Sequence, residues 1–158
     1  MNWQEVCEHP SLQNLPFKIE LDGDGKILMT PVKVYHSAYQ GEIEFRLRSL
    51  LDSGKTLPEC AIATSKGTKV ADVAWASDQV FEIIKTQVEC SVSPEICIEV
   101  MSSHNTRREM QEKSDLYFER GAKEFWICTE QGELRFFNVH GEIDISFLVP
   151  DFPKQIAL

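Results

Sequence analysis

The order of apolar and polar residues changes period several times along the chain, and each change marks a predicted element. FKIELDGDGKILMTP, residues 17 to 31, alternates apolar and polar side chains around the turn DGDG. It predicts a hairpin with strands near 17–21 and 26–30. Residues 1–16 read as an N-terminal extension: a short amphipathic start, then a proline-punctuated loop. In VYHSAYQGEIEFRLRSLLDSG the period becomes helical, with Ile43, Leu47, Leu50 and Leu51 on one face and Gly54 as the expected C-cap. His36 and Gln40 fall on that same face, so two polar side chains are expected to point inward.

Two β-rich runs follow, ECAIATS and KVADVAWA, separated by the basic loop KGTK, then a shorter run of the same kind, QVFEII, and a strand in EICIEVM. Asn105 or Thr106 and then Gly121 bound a helix over about 106–120. The tail reads as strand, turn at Gln131–Gly132, strand, turn at His140–Gly141, strand. Trp75, Trp126, Phe125 and Phe136 are expected in the core. The order of elements predicts an α+β domain spanning 1–158, with a mixed central β-sheet and a major helix on each side.

Two acids interrupt this pattern. Glu99 lies inside ICIEVMSS and Asp72 inside KVADVAW, both at positions without an obvious solvated face. Asp is disfavoured in strands, and a buried polar group costs about 1–3 kcal/mol or more unless a partner meets it. The helix that follows Glu99 offers a cation. At about 100° per residue, Met110, Leu116 and Tyr117 define its apolar arc, and Lys113 falls within that arc, while Arg108, Glu112, Asp115 and Glu119 lie opposite. Because an apolar residue suits that arc, Lys113→Met is expected to leave folding intact or improve it, while any cleavage disappears. If the two strands are neighbours, Asp72 and Glu99 can meet at one point and hold Mg²⁺ or Mn²⁺. A lysine beside them can orient water and stabilise charge on a phosphate, which completes the minimal parts of a metal-dependent phosphodiesterase.

Charge and composition restrict this picture. The chain has 158 residues, 42% hydrophobic and 26% charged, enough for one core. No apolar window approaches the roughly 20 residues of a membrane span and nothing marks the start for export, so no membrane partner and a cytoplasmic location are expected. The five cysteines are widely spaced without a zinc pattern and read as reduced core residues. A net charge of −9, from 25 acids against 16 bases, excludes a globally basic nucleic-acid binder but leaves room for a compact site with a few local cations. Arg107 and Arg108 open the Lys113 helix, where basic residues oppose the helix dipole. Their placement suggests a phosphate partner, as do Lys66 and Lys69 ahead of Asp72.

The segments VADVAW, ICIEVMSS and NTRREMQEKSDLYFERGAKEFWIC, with the DGKILMTP hairpin and the histidine-bearing helix, resemble the Uma-two family of restriction endonucleases, a branch of the PD-(D/E)XK nuclease superfamily. The resemblance covers roughly residues 17 to 140. It implies a restriction-endonuclease-like fold, a divalent metal, Mg²⁺ or Mn²⁺, at the Asp and Glu, and catalysis or binding on DNA. Asp72 stands at the Asp of the first motif and Glu99 at the acid of the second. The superfamily's lysine two residues after that acid is replaced by Met101, and Lys113 matches the position to which this family moves it. Ala71 departs from the family's frequent proline. The expected protein is a metal-dependent DNA endonuclease in which Asp72, Glu99 and Lys113 are catalytic and His36 and Gln40 line the cleft. Lys66, Lys69, Arg107 and Arg108 would contact DNA, and a homodimer would supply the second site that a duplex requires. Two alternatives stay open: a catalytically silent nuclease-fold module that binds nucleic acid or protein, and a metal-dependent hydrolase of RNA or small phosphoesters.

Overall fold

The computed structural model describes residues 1–158. Helix α1 (Trp3–Glu8) and a 3-10 turn at Pro10–Leu12 lead into an antiparallel hairpin, β1 (Phe17–Leu21) and β2 (Ile27–Pro31), and then into helix α2 (Val34–Leu50). Next come strands β3 (Lys55–Thr64) and β4 (Gly67–Ala76), helix α3 (Asp78–Ile84), strand β5 (Ile96–Val100) and helix α4 (Arg107–Glu119). Strands β6 (Glu124–Cys128), β7 (Leu134–Asn138) and β8 (Gly141–Ile143) complete the fold. Strands β3 to β8 form one mixed sheet in chain order, in which β5 and β6 alone run parallel because α4 carries the chain back between them.

Alternation along the central strands divides the apolar residues between two faces. On one face, Tyr39, Ile43 and Leu47 of α2 pack with Val73, Ile96, Ile98, Val100 and Trp126, and the C-terminal residues Val149, Phe152 and Ile156 close over them. On the other, Met110 and Tyr117 of α4 pack with Ala74, Cys97 and Phe125. Each fully buried Ile, Leu or Phe contributes about 1.5–3 kcal/mol by leaving water. The expected arrangement of a mixed sheet between two major helices is therefore present.

Several local expectations need correction. QVFEII is not a strand: the Ser77 side chain accepts the Val80 N–H and Asp78 favours the first turn, so the run forms α3. Helix α2 ends at Leu50 with Leu51 as its cap, before Gly54, and Leu50 is exposed. Gly54 instead serves close packing at φ +83°, where a Cβ would lie 2.5 Å from the Trp75 indole. Trp75 is half-buried against the core, whereas Trp126, Phe125 and Phe136 are buried as expected. All five cysteines are free, but Cys7 is exposed. No helix is long and apolar enough to cross a membrane.

Another buried acid, Glu124, belongs to this architecture. One of its oxygens accepts the Trp126 indole N–H at 2.8 Å and the Ser146 hydroxyl at 2.6 Å, and the other accepts the N–H groups of Phe147 and Leu148, both at 2.9 Å. These bonds pin the C-terminal segment across the sheet. Glu124→Ala is expected to lower the unfolding free energy in urea by at least about 3 kcal/mol, because several buried donors lose their acceptor. An unchanged midpoint would show that the segment is held by apolar packing alone.

Candidate metal centre

Strands β4 and β5 pair through Trp75–Ile96, Ala74–Cys97 and Val73–Ile98, and then part. Asp72 and Glu99 are the next residues on each side of this fork. In place of a further ladder bond, Asp72 Oδ2 accepts the Val100 N–H at 2.7 Å, and the Asp72 carbonyl accepts Gln40 Nε2 at 2.8 Å. On β3, Glu59 adopts φ +49° between the paired residues Pro58 and Cys60, so the regular ladder is interrupted opposite Asp72 as well. The parting of β4 from β5 thus leaves one carboxylate from each strand at the fork, with Asp72 at 1% and Glu99 at 2% exposure.

The hairpin supplies the groups that meet them. It lies across β4 because Glu20 Oε2 accepts the Val70 N–H at 2.7 Å and Lys69 Nζ donates to the Leu21 carbonyl at 2.9 Å. The approach is closest at Gly67, with φ +86°, where a Cβ would sit 2.3 Å from the Asp22 carbonyl oxygen. Lys18 and Glu20, two residues apart on β1, share the face that looks into the fork. Lys18 Nζ lies 3.0 Å from Asp72 Oδ1 and 3.2 Å from Glu99 Oε2. Lys113 Nζ, from α4, lies 3.0 Å from Glu99 Oε1 and 2.9 Å from Glu20 Oε2. The buried Tyr117 hydroxyl donates to Glu99 Oε1 at 3.0 Å.

His36 Nε2 lies 3.2 Å from Asp72 Oδ2, and its Nδ1 lies 2.9 Å from Gln40 Oε1. Both ring nitrogens therefore face acceptors, which favours the protonated ring. Burial opposes that charge, but the hydrogen bond and charge of Asp72 outweigh it and raise the imidazole pKa. Burial likewise works against Lys18, yet Glu99, Asp72 and Glu20 together hold its pKa well above the ordinary lysine range. Asp72 is held well below the usual carboxylate range: burial pushes it up, and Lys18 and His36 prevail. For Glu99 burial prevails over Lys113 and Lys18 and lifts it to about 7. In Glu20, the lysines overcome burial and lower the pKa.

Of the predicted residues, Asp72, Glu99, Lys113 and His36 line one open cleft of about 420 Å³, together with Lys18 and Glu20. Gln40 stands behind His36 and orients it. Lys66 and Lys69 also line the cleft, although Lys66 is paired with Glu112 at 2.8 Å on the surface. Arg107 and Arg108 are exposed on the first turn of α4 and take no part in the cleft wall; Arg107 and Met101 line a separate cavity. Met101, two residues after Glu99 and just past the end of β5, thus faces that cavity and not the cleft. Sequence reasoning missed Lys18, Glu20 and the Tyr117 hydroxyl. The available signal was the spacing of Lys18 and Glu20 on one strand face, which by itself reads as a solvated edge.

No group of three or more His, Cys, Asp or Glu side chains is arranged to hold an ion. The fork instead offers two oxygens, Asp72 Oδ1 and Glu99 Oε2, each bonded to Lys18 alone, while Asp72 Oδ2 and Glu99 Oε1 are engaged by other groups. Two carboxylate oxygens with water completing the shell suit Mg²⁺ or Mn²⁺.

Comparisons with known proteins place the chain in a family. No curated protein matches the chain. A solved structure described as a putative nuclease belonging to DUF820, from Anabaena variabilis ATCC 29413, superposes with a TM-score of 0.74 at 14% sequence identity, covering 98% of this chain and 94% of that one. The chain accordingly has a restriction-endonuclease-like fold. The Uma2 family model, described as "Putative restriction endonuclease", matches residues 3–143, and membership of that family supports a nuclease function. The chain belongs to the Uma2 family.

Proposed function

We propose that the protein is a Mg²⁺- or Mn²⁺-dependent DNA endonuclease. The observation that carries this reading is the convergence of Asp72 Oδ1 and Glu99 Oε2, from two parting strands, on one cation position beside Lys113. Asp72 and Glu99 would hold the ion, which when bound polarises a phosphate oxygen and acidifies water. Lys113 is oriented by Glu20 and Glu99 and would position the attacking water and stabilise charge on the phosphate. Glu20 is a positioning residue that acts through Lys113. His36 and Gln40 fix Asp72, and Lys66 and Lys69 would contact the backbone from the cleft wall. Arg107 and Arg108 would extend that contact along the first turn of α4. With a net charge of −9, phosphate attraction is confined to this neighbourhood, so binding is expected to weaken steeply with salt. One centre cuts one strand, and a second copy of the chain is the simplest source of the other.

A second reading, a nuclease fold that binds without turnover, draws support from Met101 at the superfamily's lysine position and from the ion pairs that occupy Lys113.

Calorimetry with Mn²⁺ tests the ligand assignment. Asp72→Ala and Glu99→Ala are expected to weaken binding by more than about 100-fold, and retained affinity in either would contradict it. For Lys113→Met, the pairing of Lys113 with both Glu20 and Glu99 supports an expected destabilisation, because the two acids would lose a shared counter-ion. A loss of about 3 kcal/mol in urea unfolding is expected, together with at least a 100-fold loss of cleavage of a labelled duplex. Cleavage at the parental rate by the folded variant would remove Lys113 from the chemistry.

A further inference from the structure

Lys18 raises a question that the proposed reaction does not answer. Its ammonium bonds to one oxygen of each acid, Asp72 Oδ1 and Glu99 Oε2. The remaining oxygens of the same carboxylates are already engaged: Asp72 Oδ2 by the Val100 N–H and His36, and Glu99 Oε1 by Lys113 and Tyr117. An ion bridging Asp72 and Glu99 would need the oxygens that Lys18 now holds.

We propose that Lys18 is the resident cation of the Asp72–Glu99 pair, and that a divalent ion binds by exchange with its ammonium. This inference rests on the assignment of Asp72 and Glu99 as the ion's ligands. The exchange solves an electrostatic problem in each state. Without the ion, the ammonium offsets the repulsion between two buried carboxylates at the oxygens that their other partners leave open. With the ion, the fork gains one unit of positive charge, since a divalent charge replaces a single one. An anionic phosphate is drawn to a centre with that balance.

The released side chain has somewhere to go. Lys18 lies at the wall of the open cleft and its side chain is already 11% exposed, so its flexible stem can carry the ammonium into the space beside Glu20 and Lys113. There a phosphodiester oxygen would take the place of the lost carboxylates. Because Lys113 keeps its partners Glu20 and Glu99 Oε1 throughout, the two lysines divide the work: Lys113 remains fixed while Lys18 changes partner.

The test uses Mn²⁺ alone. Calorimetry on the wild type and Lys18→Met is expected to give at least ten-fold tighter binding in the variant, because no ammonium competes. The variant's melting temperature should be lower than the wild type's without Mn²⁺ and recover when the ion is added. Equal or weaker binding by a folded Lys18→Met, with clear binding by the wild type, would overturn the exchange and leave the metal assignment standing. No binding by either would overturn both. Should the variant fail to fold, amine acetylation of the wild type followed by peptide mass spectrometry gives the answer. Labelling of Lys18 relative to the exposed Lys26 is expected to rise at least five-fold at Mn²⁺ concentrations that calorimetry shows to be saturating. Unchanged labelling under those conditions would overturn the proposal.

Discussion

Buried carboxylates keep their charge only where cations or hydrogen-bond donors reach them, and this constraint organises the molecule around Asp72 and Glu99. The sheet cannot satisfy both acids from within. It supplies one N–H, from Val100, and the remaining partners arrive from three other elements: Lys18 from the hairpin, His36 from α2, and Lys113 and Tyr117 from α4. The hairpin must therefore lie against β4, α2 must present its polar end to the fork, and α4 must turn a lysine toward the sheet. Packing places these elements, and electrostatics fixes which of their side chains meet.

The hairpin shows what that requirement costs. Its strand β1 turns Lys18 and Glu20 inward, while Phe17 on β1 and Leu28 and Met29 on β2 remain exposed and Leu21 alone of the strand's apolar residues is buried. An ordinary amphipathic hairpin would turn such a charged pair outward. The inversion makes physical sense only because the surface it covers carries acids.

That inversion also explains which parts were legible in the sequence. Asp72 and Glu99 stood out because they interrupt apolar strands, and Lys113 because it interrupts an apolar helix face. Each anomaly was local and visible against its own period. Lys18 and Glu20 alternate with apolar neighbours as a solvated strand face would, so nothing in their own element marks them. Their role comes from a contact with residues about fifty positions away on β4. The same limit governs Lys113→Met, where the helical arc favours an apolar residue and the pairing with Glu20, not visible in the helix pattern, weighs against one. For QVFEII the signal was present, in the Ser77–Asp78 start, but the apolar spacing fits either period over so short a run.

The most direct test of the account is cleavage of supercoiled plasmid at low salt with Mg²⁺ or Mn²⁺, wild type beside Glu99→Ala at equal concentration. The wild type is expected to convert the plasmid to nicked or linear DNA only when the ion is added, and the variant is expected to convert none. Equal conversion by both proteins, or none by a folded wild type that binds the ion, would contradict the account.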